Sequence, residues 1–398
     1  MKINKSTNNN LNVPISRTNL KDIEIQSVLE PLKSGWLVQG PKVRDFENKW
    51  SKFTGSDESI AVTSCTSAML ISLAALGIKP GDEIIVPAFT WVSTANVVEN
   101  LGAKVVFCDI DLKSFNIDIK KLRDLINNRT KCIIPVHLFG LSAQMTEILS
   151  IAKEFNLFVV EDAACGFGSR LNGQHVGTFG NTGCFSFHPR KAITTGEGGM
   201  ITTNDKKLAE KIRQYRDHGA VISDLQRHKG PKPYILADHK VAGYNQRMTD
   251  IQGILGSMQM NRSKEILDER KAIANIYFKE LKDLNELKLP DYDKKFTHGF
   301  QSFVCLFKPK KINLENIKSV NKYRNNFMDY LNSNGIATRP GTHAVHMLEF
   351  YKRKYNIKPH NFINSYIAND CSISFPIYNG MTFEEQTHVI DHIKKFFL

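Results

Sequence analysis

Asp162 and Lys191 are the residues of this chain whose types and settings suit covalent chemistry. Asp162 ends FVVED, an apolar run whose β-branched Val159 and Val160 predict a buried parallel strand that delivers a carboxylate to its C-terminal edge. Open α/β sheets hold their ligands at that edge. Lys191 follows GCFSFHPR, where aromatic and small residues alternate through Phe187 until Pro189 breaks the run, so the lysine leaves a strand on a turn with TTGEGG behind it. Packed there against apolar walls, a lysine would lose part of its preference for the charged form, and a neutral amine attacks carbonyls to form Schiff bases. An amine for an aldehyde and a carboxylate for a ring nitrogen are the two ends that pyridoxal phosphate needs to act as an electron sink. Taken singly, Asp162 reads as a strand end and Lys191 as a solvated turn residue; the features around them favour the chemical reading.

The elements that must position this pair are legible upstream. A strand at Ile60–Val62 runs into Thr63, Ser64, Cys65 and Thr66, and an Ala- and Leu-rich helix follows. The free N–H groups at such a helix start form an anion site, although Ser64 or Thr66 serves equally as a plain cap. KPGDE is a turn and IIVPAF a strand, after which Trp91 emerges, either as a flat platform for a planar ring or as a core residue. Strands at Lys104–Cys108, Cys132–Val136 and Leu157–Asp162 alternate with helices at Ile119–Asn127 and Met145–Phe155. That βαβ series predicts an α/β fold with a large, mostly parallel sheet and helices on both faces. Neither GxGxxG nor GxxxxGK[ST] occurs, which removes the main support for dinucleotide and P-loop sites.

Residues 20–34 predict a first helix, and SGWLVQGPK leads into a second, amphipathic one, with Trp36 and Gln39 in the connection as site wall or simple packing. The polar run Ser223–Lys232 reads as a surface loop. From about Met260 a long helix leads to short strands at Gln301–Phe307 and Ser372–Phe375 and helices at Lys322–Asn334 and Phe383–Phe397, a smaller α+β domain. The expected division is a frayed N-terminal tail at 1–22, a large domain at 23–258 and a small C-terminal domain at 259–398.

Composition narrows the partners. The formal charge is +13, yet the basic residues are scattered and never interleave with aromatics as in a nucleic-acid module, so an anionic small molecule is the expected partner and nucleic acid is not. No apolar run approaches the roughly 20 residues of a membrane span, and MKINKSTNNN shows no signal-peptide core. Seven cysteines at irregular spacing predict neither a disulfide framework nor a metal site, and Cys108, Cys184 and Cys305 read as core residues of a cytoplasmic protein.

With these residues in view, the chain resembles the DegT/DnrJ/StrS family of nucleotide-sugar aminotransferases, which have the type I fold of PLP-dependent transferases. The similar blocks run nearly end to end in one order: SGWLVQGPKVRDFE, AVTSCTSAML, PGDEIIVPAFTWVSTANVV, PVHLFGL, VVEDAACGFGS, GCFSFHPRKAITTGEGGM, GYNQRMTDIQG and TRPGTHAVHMLEFY. The resemblance implies that Lys191 carries pyridoxal 5'-phosphate as a Schiff base and that Asp162 pairs with its ring nitrogen. It further implies that Trp91 stacks on the ring, that Cys65, Thr66 and Ser186 hold the phosphate, and that Asn245 reaches the phosphate across a homodimer with a shared active site. Gln39, His188 and His346 are candidate substrate contacts, His188 reading equally as a structural histidine. The implied reaction moves an amino group from an amino acid, L-glutamate in most of the family, to a nucleoside-diphosphate keto sugar, giving an amino sugar of the kind used in polysaccharide biosynthesis. A sugar dehydratase or a non-catalytic PLP-binding regulator on the same fold remains open. Two departures bear on geometry: Cys65 stands where the phosphate turn usually has glycine, and Cys165 where His or Gln is common.

Overall fold

The structure, a computed structural model, describes residues 11–222, 234 and 236–397. The predicted surface loop Ser223–Lys232 lies outside the described residues. Seven strands form the central sheet: β1 (Glu58–Val62), β2 (Glu83–Pro87), β3 (Lys104–Cys108), β4 (Thr130–Ile133), β5 (Phe158–Asp162), β6 (Thr182–Ser186) and β7 (Gly199–Thr203). Their order is β1-β7-β6-β5-β4-β2-β3. Pairings from β6 through β3 are parallel, and β7 runs antiparallel to both β1 and β6. Central strands buried on both faces must be apolar throughout, which is why Ile84, Ile85, Val86, Val159 and Val160 occur as unbroken runs.

Each face has its own apolar layer. On one, Ile60, Ile84, Val86, Val160 and Ile201 pack against α2 (Cys65–Ala75). On the other, Ala61, Phe185 and Met200 meet Phe46 and Trp50 of α1 (Pro41–Thr54). α1 lies against α3 (Asp250–Met260), and its start is fixed by the Asp250 carboxylate, which accepts from the amides of Gly40 at 2.8 Å, Val43 at 3.0 Å and Lys42 at 3.2 Å. Gly253 makes that approach possible, because a Cβ there would come within 2.6 Å of the Val43 amide nitrogen.

After a break at Asn261 and Arg262, α4 (Ser263–Leu281) leads into the C-terminal third. There β8 (Phe303–Phe307) pairs antiparallel with β9 (Ser372–Phe375) and with Leu287–Lys288. The helices α5 (Ile317–Ser333) and α6 (Phe383–Phe397) share an apolar core with this small sheet and with Ile273, Ala274 and Tyr277 of α4.

Three expectations change. The single helix over 20–34 is two, Asp22–Ser27 and Leu29–Ser34, because Pro31 has no N–H to continue the first ladder. The helix expected to reach Asn127 ends in a short 3₁₀ turn at Leu125, where the Asn127 side chain instead accepts from the Arg129 amide. The tail is not frayed where it is described: Val13 is fully buried and its backbone bonds Gly335 and Ala337.

Candidate active site

Asp162 ends β5 and is held there from both sides. Its amide donates to Pro135 O at 2.9 Å, and its carbonyl accepts from the His137 amide at 3.0 Å. Its carboxylate, 3% exposed with the rest of the residue, accepts from Thr94 Oγ1 at 2.7 Å and from the Ala164 amide at 3.1 Å. Neighbouring strand β6 puts Cys184 in register with Asp162 and ends at Ser186. The chain then turns through His188 and Pro189, and the Lys191 amide donates back to His188 O at 2.8 Å.

Each chemical end lies against a sulfur. Lys191 Nζ donates to Cys165 Sγ at 3.2 Å, three residues beyond Asp162, while Cys65 Sγ lies 3.9 Å from Asp162 Oδ1 and donates to Cys184 O at 3.3 Å. Burial works against the Lys191 ammonium, but Cys165, which accepts its hydrogen bond, and the Asp162 carboxylate more than offset it, so its pKa lies above the ordinary lysine value. The expected lowering of this amine is therefore not found: a carboxylate and two sulfurs, not an apolar wall, surround it. Burial, reinforced by the Asp162 charge, raises Cys65 well above the ordinary thiol value and keeps it protonated.

The turn before α2 has the form of an anion cradle. Ser64 caps the helix by accepting from the Ser67 amide at 3.0 Å, which leaves the Cys65 and Thr66 amides at the open end with no partner among the described residues. Gly199 of β7 lets the turn lie close, since a Cβ there would come within 2.4 Å of the Ser64 carbonyl carbon. Cys65 fits in place of glycine because it is the first helical residue, with its side chain turned inward and no positive φ. From the far side, the Thr63 amide donates to Gln246 O at 3.1 Å and the Ser67 hydroxyl to Gln246 Oε1 at 2.7 Å.

Trp91 is 58% exposed beside Asp162's partner Thr94, and its ring meets the exposed His343 edge-on at 5.5 Å. Asp162, Lys191, Cys65, Thr66, Ser186 and Trp91 thus occupy neighbouring elements at one end of the sheet. Of the other candidates, His188 joins them through the turn, its carbonyl accepting from the Lys191 amide and its amide donating to Ser186 Oγ at 3.4 Å, and Gln39, Asn245 and His346 lie apart. His346 is fully buried between Phe107 and Phe362, with Nε2 on Pro359 O at 3.1 Å; this corrects its expected role as a substrate contact, because the 3₁₀ turn Val345–Met347 faces it inward. Gln39 lines a separate cleft of about 530 Å³ with Arg44, Arg213, Arg216 and Arg247. His188 accepts the Arg190 amide on Nδ1 at 3.2 Å, a turn-forming role, and burial lowers its pKa. Asn245 is exposed and bridges to Asp217. Thr94, His343 and the glutamines that hold the Lys191 loop carry no local pattern that would have singled them out.

These residues fit pyridoxal phosphate: a primary amine, a buried carboxylate with lone pairs left for a ring nitrogen, a helix start with unpartnered amides and hydroxyls, and an open indole face. Among the described residues no group of His, Cys, Asp and Glu could hold a metal ion. The sequence pattern of the DegT/DnrJ/EryC1/StrS aminotransferase family matches residues 18–394. The spore coat polysaccharide biosynthesis protein SpsC of Bacillus subtilis is 34% identical over 371 residues, 93% of each chain. GDP-perosamine synthase of Escherichia coli O157:H7 is 32% identical over 389 residues, 97% of this chain and 98% of that one. Spr1654 of Streptococcus pneumoniae, solved in PMP and PLP forms, superposes in its PMP form with a TM-score of 0.88 at 26% identity, covering 96% of this chain and 98% of that one. The chain belongs to the DegT/DnrJ/EryC1/StrS aminotransferase family and is a pyridoxal-phosphate-dependent sugar aminotransferase.

Proposed function

We propose that this enzyme transfers an amino group from L-glutamate to a keto sugar carried on a nucleoside diphosphate, with Lys191 and Asp162 as its catalytic residues. The observation that carries this reading is the convergence of the Lys191 amine, the Asp162 carboxylate and the open start of α2 around Cys65 and Cys165. When bound, pyridoxal phosphate supplies the electron sink that lets a proton leave carbon beside nitrogen. The amides of Cys65 and Thr66 with the Ser186 hydroxyl would hold its phosphate, and Trp91 would offer an indole for its ring to stack on. Asp162, fixed by Thr94 and Ala164, keeps the ring nitrogen protonated. Lys191 serves as amine for the aldehyde and then, once freed, as the base that moves the proton. Its raised pKa in the free protein means that it must shed a proton before it can act as an amine.

We further propose a homodimer in which Asn245 reaches the partner's phosphate. The exposed apolar side chains Ile23, Ile25, Leu29, Leu32, Leu37 and Val38 and the exposed position of Asn245 support a second copy. Seven free cysteines support a cytoplasmic setting. Among the described residues no helix is long and apolar enough to cross a membrane.

The test is incubation of the purified protein with glutamate and a panel of nucleotide-linked keto sugars, followed by mass spectrometry. An amino sugar with matching 2-oxoglutarate supports the proposal. A deoxygenated sugar without added nitrogen would make the protein a dehydratase, and a visible cofactor band without 2-oxoglutarate would make it a regulator.

A further inference from the structure

The loop that carries Lys191 is bonded both within itself and from outside. Main-chain bonds close its base, from the Phe187 amide to Gly198 O at 2.9 Å and from the Thr195 amide to Phe187 O at 3.0 Å. Its middle is held from outside by two glutamine side chains, each used as donor and acceptor at once. Gln259 of α3 donates to Thr194 O at 2.6 Å and accepts from the Thr194 amide at 3.1 Å. Gln301 donates to Arg190 O at 2.7 Å and accepts from the Ala192 amide at 3.2 Å. Gln301 therefore grips the backbone on both sides of Lys191.

Gln301 is itself braced. Arg270 of α4, 3% exposed, donates from Nη2 to Gln301 O at 2.9 Å and from Nε to Phe300 O at 2.9 Å. Burial lowers the pKa of this guanidinium to about 10, and no carboxylate hydrogen-bonds it among the described residues. Phe300 sits at φ +46°, a left-handed conformation that costs a bulky residue about 1–3 kcal/mol. A buried cation spent on backbone carbonyls and a strained phenylalanine both serve to deliver the Gln301 side chain to one place.

We propose that Gln301 is a positioning residue: its amide fixes the peptides flanking Lys191 and so aims Nζ, with Arg270 as its support from the C-terminal third. The proposal rests on the reading of Lys191 as the amine that takes the cofactor. A misplacement of about 1 Å in such a group can cost about a hundredfold in rate.

Two variants test it. Gln301→Leu removes both bonds; Gln301→Glu keeps the shape and the acceptor but sets an oxygen against Arg190 O. Apoprotein of each is mixed with pyridoxal phosphate, and the rise of the visible band of the lysine-bound cofactor is timed. That rise should slow at least about tenfold in Gln301→Leu, with kcat falling about 10- to 100-fold and KM for glutamate changing less than about threefold. The apoprotein melting temperature should stay near that of the wild type. Unchanged rise times in both variants would overturn the proposal, as would loss of folding in both, which would make Gln301 a strut of the fold. Wild-type protein that never develops the band would instead refute the functional reading itself.

Discussion

Thr94 Oγ1 lies 2.7 Å from Asp162 Oδ2, while the Ala164 amide engages Oδ1 at 3.1 Å, so the plane of the carboxylate is fixed before any ligand arrives. Thr94 sits three residues past Trp91, and one segment therefore both orients the carboxylate and presents the indole. A hydrogen bond to a charged group is worth about 1.5–3 kcal/mol. Thr94→Val should accordingly lower kcat about 10- to 100-fold while the protein still retains pyridoxal phosphate on gel filtration. Asp162→Asn should lose more, because it removes the charge as well as the acceptor.

Lys191→Arg keeps a cation beside Cys165 but removes the primary amine, and arginine does not form the covalent link to an aldehyde. The visible band of the lysine-bound cofactor should vanish and 2-oxoglutarate release from glutamate should fall by several orders of magnitude. A variant that turned over at the wild-type rate would remove Lys191 from the chemistry.

Lys191 also has a readable effect on the empty protein. Its folded pKa lies above the ordinary value of 10.5, as Cys165 and Asp162 outweigh burial. The folded state then holds this proton more tightly than the unfolded chain does. The resulting stability is complete below the ordinary lysine value and is lost as pH rises through the folded value. In the apoprotein, the melting-temperature difference between wild type and Lys191→Met should therefore drift against the wild type as pH rises through and beyond the ordinary lysine range. A constant difference across that range would show that the ammonium gains nothing from its neighbours.

The sequence carried Asp162 and Lys191 because each stands where a periodic run ends: a β-branched strand in one case, an alternation cut by Pro189 in the other. The parallel sheet was legible for a related reason, its strands carrying short unbroken apolar runs such as Ile84, Ile85 and Val86 in one and Val159 and Val160 in another. What could not be read were contacts that join distant parts of the chain. Gln301 binds the Lys191 loop from another part of the chain, and a glutamine that bonds backbone leaves no periodic trace. The place of His343 beside Trp91, and the burial of His346, were equally hidden. A two-residue strand pairs His343 with Thr90, and the tight turn after it rotates His346 into the core. Cys165 stood out only as a departure, and its place against Nζ needed coordinates.

The residue before Asp162 supplies a last prediction. Glu161 is fully buried and its carboxylate takes four donors: the amides of Gly177 at 2.7 Å, Phe179 at 2.8 Å and Gly180 at 2.7 Å, and His137 Nε2 at 2.9 Å. His137 Nδ1 accepts from the Ala143 amide at 3.1 Å, so its proton is on Nε2 and the neutral ring is the donor. The carboxylate is thus a hub that ties the loop after the hairpin Arg170–His175 to the end of β5. Glu161→Gln presents an NH₂ group to donors that need an acceptor, leaving at least one of them unpaired in a dry site. That should destabilise the protein by about 3 kcal/mol, read as a lower urea midpoint with an unchanged slope. Since the Asp162 backbone keeps its bonds to Pro135 and His137, kcat per cofactor-loaded molecule should fall less than in Asp162→Asn. A larger kinetic loss than stability loss would instead make Glu161 part of the reaction rather than of its frame.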